Sequence, residues 1–392
     1  MTRIDMGLAL RMARNADPAA VPAVLAAAAG ELGATDFVVY LVDFGQSVLE
    51  PLPDFHTHAD LPTSEEVTTT MAGRAFLSQR PVTAVRDEGT RVWVPVVEGS
   101  DRTGVLAVTV DDAEDATVAA CEELGLLTGY LIATQSRCTD LYNLHRRRRA
   151  MTLAASLQWD LLPPLVVKSR NVAVAGLIEP AYEVGGDCFD YAVNGPVLDV
   201  AIIDAMGHGL ASASVAGLAL GSYRHDRRQG KPLTAIHDNL AAVLTDQYGG
   251  AAFASGLLVR LEIGTGVVTW TNAGHPAPLL IRGGRVIGEL EHEPTPPWGL
   301  FEGAPTEATE TLEPGDTVLL YTDGVVEARA KDGTEFGLDR LADLVGQQAS
   351  DQLEPEEIVR RVVRSVLEHQ QDDLADDATV VLVQWQGPPA RT

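Results

Sequence analysis

Lysine is nearly missing from this chain. Across 392 residues only Lys168, Lys231 and Lys331 carry an ammonium group, against 55 acidic residues, and the formal net charge is −26. A chain this acidic repels polyanions, which argues against nonspecific nucleic-acid binding and against docking on an anionic membrane. Cysteine is scarce as well: Cys121, Cys138 and Cys188 are odd in number and show no Cys-x-x-Cys spacing. That pattern disfavours a disulfide framework and a zinc cluster and fits a reducing compartment. Unbroken apolar runs are absent too. Residues 263–281 carry no Asp, Glu, Lys or Arg, but glycines, prolines and Asn272 interrupt them, so no membrane span is expected. Asp5, Arg11 and Arg14 fall in the first helical stretch, which does not read as a signal peptide. The expectation is a soluble, cytoplasmic protein.

What is present is ordinary globular material. Apolar residues make up 46% and charged residues 21%, and the length suffices for two domains with their own cores. Residues 1–30 read as helical, with Asp17-Pro18 as a start signal for a second helix. Asp36–Asp43 reads as a strand, Met71–Ser78 as a helix, and residues 91–97 and 104–110 as a hairpin turning at Glu98-Gly99-Ser100-Asp101. This order of helix, strands, central helix, hairpin and closing helix resembles a GAF domain, most clearly in Trp93-Val94-Pro95-Val96 and Gly104-Val105-Leu106-Ala107-Val108. A PAS-like sensor and a structural dimerisation domain stay open. No constellation names a ligand here; His56 and His58 read as loop residues.

From Cys121 the pattern changes. Leu124, Leu127, Leu131, Thr134, Cys138 and Leu141 alternate spacings of three and four, an a/d stripe on a helix expected to reach about Leu157. Pairing with its copy in a homodimer and packing back on its own domain are both open. Arg146–Arg149 follow, read as a solvated face or a contact with an acidic partner. Leu161-Leu162-Pro163-Pro164 ends the helix.

The second half delivers carboxylates from strand ends. Val197–Ile203 is an apolar strand running into Asp204-Ala205-Met206-Gly207-His208-Gly209, with a small-residue helix beyond it. Thr317–Tyr321 repeats the arrangement, running into Thr322-Asp323-Gly324, and Asp376-Asp377 precedes the strand Ala378–Val383. Asp187 lies in the Gly185-Gly186-Asp187 turn. Taken singly these are ordinary turns. Together they suit a hard cation, because Mg²⁺ and Mn²⁺ prefer oxygen ligands.

The ordered set of Leu161-Leu162-Pro163-Pro164, residues 180–187, residues 204–209, Asn272-Ala273-Gly274-His275-Pro276, residues 315–327 and Asp376-Asp377-Ala378-Thr379 resembles the SpoIIE/RsbU-type branch of the PP2C metal-dependent serine/threonine phosphatases. The resemblance spans Leu161 to Gln384. It implies a β-sandwich flanked by helices with a site for two Mn²⁺ or Mg²⁺ ions at one end. Asp204 would bridge the ions, the Ala205 carbonyl would bind the second, Asp323 and Asp376 would hold the first, and Asp187 would act directly or through water. Asp377 would support them from behind. Gly185, Gly186, Gly207 and Gly324 would permit close approach of the backbone to the metals and the phosphate.

The implied reaction is hydrolysis of phosphoserine or phosphothreonine by a metal-activated water, on a phosphorylated STAS-domain regulatory protein that controls a sigma factor. His208 and His275 are candidate general acids, with packing or orienting roles equally open. Gly274-His275 stands where larger PP2C enzymes have a third-metal aspartate. Cys188-Phe189 and Pro297-Trp298-Gly299-Leu300 depart from the branch pattern and read as packing variations. The expected fold class is α+β: a GAF-like α/β sensor domain over 1–120, a helical linker over 121–162, a PP2C-like α-β-β-α sandwich over 163–386 and a tail over 387–392. A small molecule or a protein signal would act on the sensor domain. The rival reading is a noncatalytic PP2C-shaped regulator that binds a phosphoprotein without hydrolysing it.

Overall fold

A computed structural model describes Gly7, Arg11 and residues 17–53, 62–179, 182–183, 185–301, 303–371 and 376–388. His56 and His58, and Pro180, Ala181 and Val184 of the motif before Asp187, lie outside the described residues. The chain divides into two compact units, Met1–Ala150 and Met151–Thr392.

The first unit is built on one antiparallel sheet. Its strands are β1 (Asp36–Val42), β2 (Val48–Pro51), β3 (Glu65–Glu66), β4 (Val82–Arg86), β5 (Gly89–Glu98) and β6 (Asp101–Val110), in the order β3-β2-β1-β6-β5-β4. Strand side chains alternate between faces, so the two faces carry different partners. Val39, Leu41, Val92, Val94 and Leu106 pack with helices α1 (Val21–Gly30) and α3 (Asp115–Gln135). Tyr40, Val42, Trp93 and Val105 pack on the opposite face around Phe76 of α2 (Met71–Ser78).

Helix α3 corrects the expected linker. Leu124, Leu127 and Leu131 are buried in the core of this first unit, so the apolar stripe packs home. Two glycines make the close contact possible. A Cβ on Gly129 would stand 2.0 Å from the Val97 carbonyl oxygen, and one on Gly125 would stand 2.7 Å from that of Pro95. By length and composition alone α3 passes for a membrane helix, yet half of it is buried inside the unit. It ends at Gln135, and α4 (Leu141–His145) and α5 (Leu153–Leu161) follow as separate short helices. There is no continuous helix over 121–162, and the division between the units falls after Ala150. The arginine run is also engaged: Arg146 donates to the Val42 carbonyl at 2.8 Å and lies over the Phe44 ring, and Arg148 pairs with Glu50.

The second unit is a sandwich of two antiparallel sheets with helices outside each. One sheet has the order β15-β12-β11-β10-β9, from β9 (Asp187–Asn194), β10 (Val197–Ala205), β11 (Ala254–Glu262), β12 (Val267–Ala273) and β15 (Ala308–Thr311). The other has the order β14-β13-β16-β17-β8-β7, from β7 (Val166–Lys168), β8 (Val172–Glu179), β13 (Leu279–Arg282), β14 (Arg285–Glu289), β16 (Thr317–Tyr321) and β17 (Ala378–Trp385). Helices α6 (Leu210–Arg228) and α7 (Leu233–Tyr248) cover the first sheet. After the short α8 (Asp323–Val326), helices α9 (Leu338–Ser350) and α10 (Pro355–Gln370) cover the second. This is the α-β-β-α layering that the motifs imply.

Between the sheets lie Phe189, Val200, Ile202 and Val259 from one side and Val174, Ile178, Leu320 and Val381 from the other. Gly176 in β8 makes room for Phe189, whose ring would be 2.5 Å from a Cβ there. Trp298 is fully buried beneath α7, edge-on to His237, and Gly256 leaves space for its ring. Cys188 is buried as well, and burial pushes its thiol far above the reactive range. Both departures from the branch pattern are packing residues.

The two faces of α3 predict different costs. Leu124→Ala should destabilise the first unit by about 2–5 kcal/mol in denaturant unfolding of the full chain. Leu126, which is 57% exposed, should tolerate alanine within about 0.5 kcal/mol. Equal losses at the two positions would contradict the assigned packing.

Candidate active site

Strand register brings the acidic residues to one end of the sandwich. Asp204, the penultimate residue of β10, faces Asp187 of β9 on one side and Ser255 of β11 on the other. In the second sheet, β16 and β17 are paired so that Thr322-Asp323 leaves one strand where Asp376-Asp377 enters the other. Like charges directly opposite on neighbouring strands repel, so the Asp187–Asp204 pair needs offsetting contacts.

Asp187 obtains them from the other sheet. Its Oδ2 accepts the Thr322 hydroxyl at 2.7 Å and the Thr379 hydroxyl at 2.6 Å. Both threonines are fully buried, and the Thr379 amide donates back to Thr322 Oγ1 at 3.0 Å. Asp377 makes the reverse connection. Its carboxylate accepts the amides of Gly185 and Gly186 at 2.6–2.8 Å and that of Asp187 at 3.3 Å. Successive backbone N–H groups of this kind form a concave anion cradle, and here the protein's own Asp377 fills it. Asp187 and Asp377 are thus mutual clamps between the two sheets.

Glycines let the segments meet. A Cβ on Gly186 would be 2.1 Å from the Ala205 carbonyl oxygen, and one on Gly324 would be 1.9 Å from that of Asp377. These close approaches are between backbone segments. At Gly207 a Cβ would meet no protein atom within 4 Å, and its φ of +88° is what favours glycine.

The carboxylates share one field. Burial, then Asp323, Asp376 and Asp377, push Asp204 up to about 7, while a hydrogen bond from Ser255 pulls the other way. Burial, then Asp204 and Asp377, raise Asp187, against the pull of the Thr379 and Thr322 hydroxyls. Burial lifts Asp377 to about 6 despite its three amides. Asp323 is raised by burial, Asp376 and Glu327. Asp376 is exposed at the rim, with its Oδ1 accepting the Asp377 amide.

Among the described residues no group of three Asp, Glu, His or Cys side chains is drawn tightly enough to hold one ion. The donors themselves nevertheless suit a divalent cation. They are hard oxygens whose mutual repulsion a positive charge would relieve.

The histidines part company. His208 is exposed on the turn after Asp204. His275 is buried, its Nδ1 lies 2.7 Å from Ser255 Oγ, and burial lowers its pKa to about 3. Held neutral at physiological pH, the imidazole lacks the readily released imidazolium proton of a general acid, so of the expected roles His275 fits the orienting one. Ser255, Thr322 and Thr379 escape the sequence reading. The two threonines lie beside the motif aspartates, but their task exists only once the sheets face each other.

The shifts predict a pH dependence whose sign can be worked out. Asp204 binds protons in the folded state between its ordinary 3.8 and about 7, so its burial costs stability increasingly as pH rises through that window. His275 acts oppositely, weakening the fold as pH falls below its ordinary 6.5. Asp204→Asn removes the first contribution alone. In chelator, its stability relative to wild type should grow from about pH 4 to about pH 7 and then level off. A pH-independent difference would contradict the crowding.

Comparison with known proteins fits this geometry. Residues 195–386 match the family model described as Stage II sporulation protein E (SpoIIE). The chain is 24% identical over 244 residues to the phosphoserine phosphatase RsbP of Bacillus subtilis (strain 168), covering 60% of this chain and 58% of the relative. It is 24% identical over 269 residues to the phosphoserine phosphatase RsbU of the same organism, covering 66% and 76%. It therefore spans less than two thirds of RsbP's length. Among solved structures, the SiaA-PP2C domain of Pseudomonas aeruginosa gives a TM-score of 0.51 at 21% identity, covering 59% of this chain and 94% of that one. The RsbU and RsbW domains of Rv1364c from Mycobacterium tuberculosis give 0.50 at 23%, covering 56% and 63%. At these identities the structural likeness is one of fold. Residues 195–386 thus match the SpoIIE family model, and the second unit shares the fold of a PP2C domain.

Proposed function

We propose that the second unit is a metal-dependent protein serine/threonine phosphatase acting on a regulatory phosphoprotein, with a phosphorylated STAS-domain protein as the substrate class. The observation that carries the reading is the shared field around Asp204, where burial and three further aspartates hold its carboxyl up to about 7. A protein keeps such a cluster against its own stability when a bound cation offsets the repulsion. The two relatives described as phosphoserine phosphatases support the same chemistry.

Asp204, Asp323, Asp376 and the Ala205 carbonyl would hold two Mn²⁺ or Mg²⁺ ions, with Asp187 contributing through its second oxygen. Such ions supply positive charge against phosphoryl oxygens and lower the pKa of water. The chain's own residues build the frame. Thr322 and Thr379 fix Asp187, Asp377 ties Gly185–Asp187 to the opposite sheet, and neutral His275 with Ser255 borders Asp204.

The first unit serves as a GAF-like sensor in this reading. Its sheet has helices on both faces, and a cavity of about 520 Å³ lined by Tyr40, Trp93, Arg86, Arg91 and Glu65 offers a position for a small ligand. Homodimerisation through α3 would use its outward face, where Leu126 and Tyr130 are exposed.

Phosphate release from a phosphoserine protein, with Mn²⁺ and with chelator, tests the central reading. Wild type should turn over only with metal. Asp204→Asn should lose more than about a hundredfold, the scale of removing one transition-state charge partner. Asp323→Asn should lose activity yet melt no lower than wild type in chelator, because one repelling charge is gone. Binding of the phosphoprotein without release would favour the noncatalytic regulator instead.

A further inference from the structure

The face of β10 and β11 that carries Asp204 does not end with it. Side chains alternate along a strand, and directly opposed residues share a face. Val200 opposes Val259, Ile202 opposes Leu257 and Asp204 opposes Ser255, and the first two pairs fill the space between the sheets. One step further out, the Met206 amide donates to the Phe253 carbonyl at 3.0 Å. The ladder therefore sets Met206 across from Phe253, on the face of Asp204 and at its open end.

Both side chains reach water there, Met206 being 44% exposed and Phe253 half-buried. Two further residues widen the surface. Trp298 and Ala254 exchange backbone hydrogen bonds at 2.8 and 3.0 Å, which lays the segment after Trp298 beside Phe253. Phe301 on that segment is exposed, as is Leu210 at the start of α6. Scattered apolar residues on a surface need no explanation, but a group of them at the mouth of a site marks a place that meets something.

Charge narrows what that is. Residues 182–188, 204–213, 251–256, 295–303, 322–328 and 376–379, which border the site, contain no Lys and no Arg. A phosphorylated segment brought to Asp204 finds no guanidinium or ammonium there to hold acidic neighbours, and Glu327 and the aspartates repel them. Bound cations would offset the carboxylates, which removes most of the attraction for basic neighbours too. Apolar neighbours gain by covering Met206 and Phe253. Two strand residues, about 7 Å, separate Met206 from Asp204, a span that one or two residues of an extended segment bridge.

We infer that Met206 and Phe253, widened by Phe301 and Leu210, are a docking surface for apolar residues flanking the phosphoserine or phosphothreonine of the protein substrate. This rests on the phosphatase reading and adds the local chemistry of the substrate to it. The flexible thioether of Met206 suits a surface that must fit more than one side-chain shape.

Phosphate release by the full chain at saturating Mn²⁺ tests it, from p-nitrophenyl phosphate and from phosphoserine peptides differing only in flanking leucine, glycine, glutamate or lysine. Wild type should favour the leucine peptide about tenfold in kcat/KM. Met206→Ala and Phe253→Ala should each lose most of that preference, chiefly through KM. Their turnover of p-nitrophenyl phosphate, which has no flanking residues, should stay within about threefold of wild type. Met206→Leu, apolar and of similar volume, should keep the preference. Equal kcat/KM for leucine and glycine peptides would overturn the inference, as would a preference for glutamate or lysine. Turnover of p-nitrophenyl phosphate with no peptide hydrolysed would overturn it as well. So would alanine variants that lose both activities in parallel, the mark of residues that only hold the fold. If wild type releases no phosphate from p-nitrophenyl phosphate with Mn²⁺, the phosphatase reading fails first and this inference falls with it.

Discussion

The second unit depends on bringing negative charges together at the end of two facing sheets. Asp187 and Asp204 oppose each other on adjacent strands, a placement that costs stability unless other groups offset it. The offset comes from across the sandwich, through two buried threonine hydroxyls on Asp187 and three backbone amides on Asp377. These bonds consume the charge of two carboxylates and stitch the sheets together. Asp204 is left without such a clamp, with Asp323 and Asp376 near enough to raise its pKa. Structure and chemistry are therefore coupled: the clamps set how closely the sheet ends approach, and that approach sets how strongly the remaining carboxylates repel.

The same coupling explains the division of labour among residues that look alike in sequence. Asp376 and Asp377 are neighbours, yet one is exposed at the rim and the other is buried in an amide cradle. His208 and His275 both follow a glycine, yet one is exposed and the other is neutral and buried against Ser255. Position relative to the second sheet decides each case. Residue type alone does not.

Much of this was legible before any coordinates. Apolar runs that stop at Asp-Ala-Met-Gly and Asp-Gly are local signals, and the strands Val197–Ala205 and Thr317–Tyr321 end where those signals say. The order of distant motifs carried the rest of the second unit. Less was legible where the meaning of a pattern depends on what it meets. The three-and-four stripe of Leu124, Leu127 and Leu131 is the same whether it faces a copy or its own sheet. The deciding residues were Gly125 and Gly129, whose missing side chains allow contact with β5. The hydroxyls of Thr322, Thr379 and Ser255 were invisible for the same reason, since each acts on a residue far away in the chain.

The central claim is that these aspartates form one site for divalent cations. Anomalous diffraction at the manganese edge, from crystals of the full chain equilibrated with Mn²⁺, tests it most directly. The account predicts two neighbouring peaks that share the Asp204 carboxylate, one of them also bounded by Asp323 and Asp376. Saturating Mn²⁺ with no peak at Asp204, or with peaks only at unrelated surface carboxylates, would contradict it.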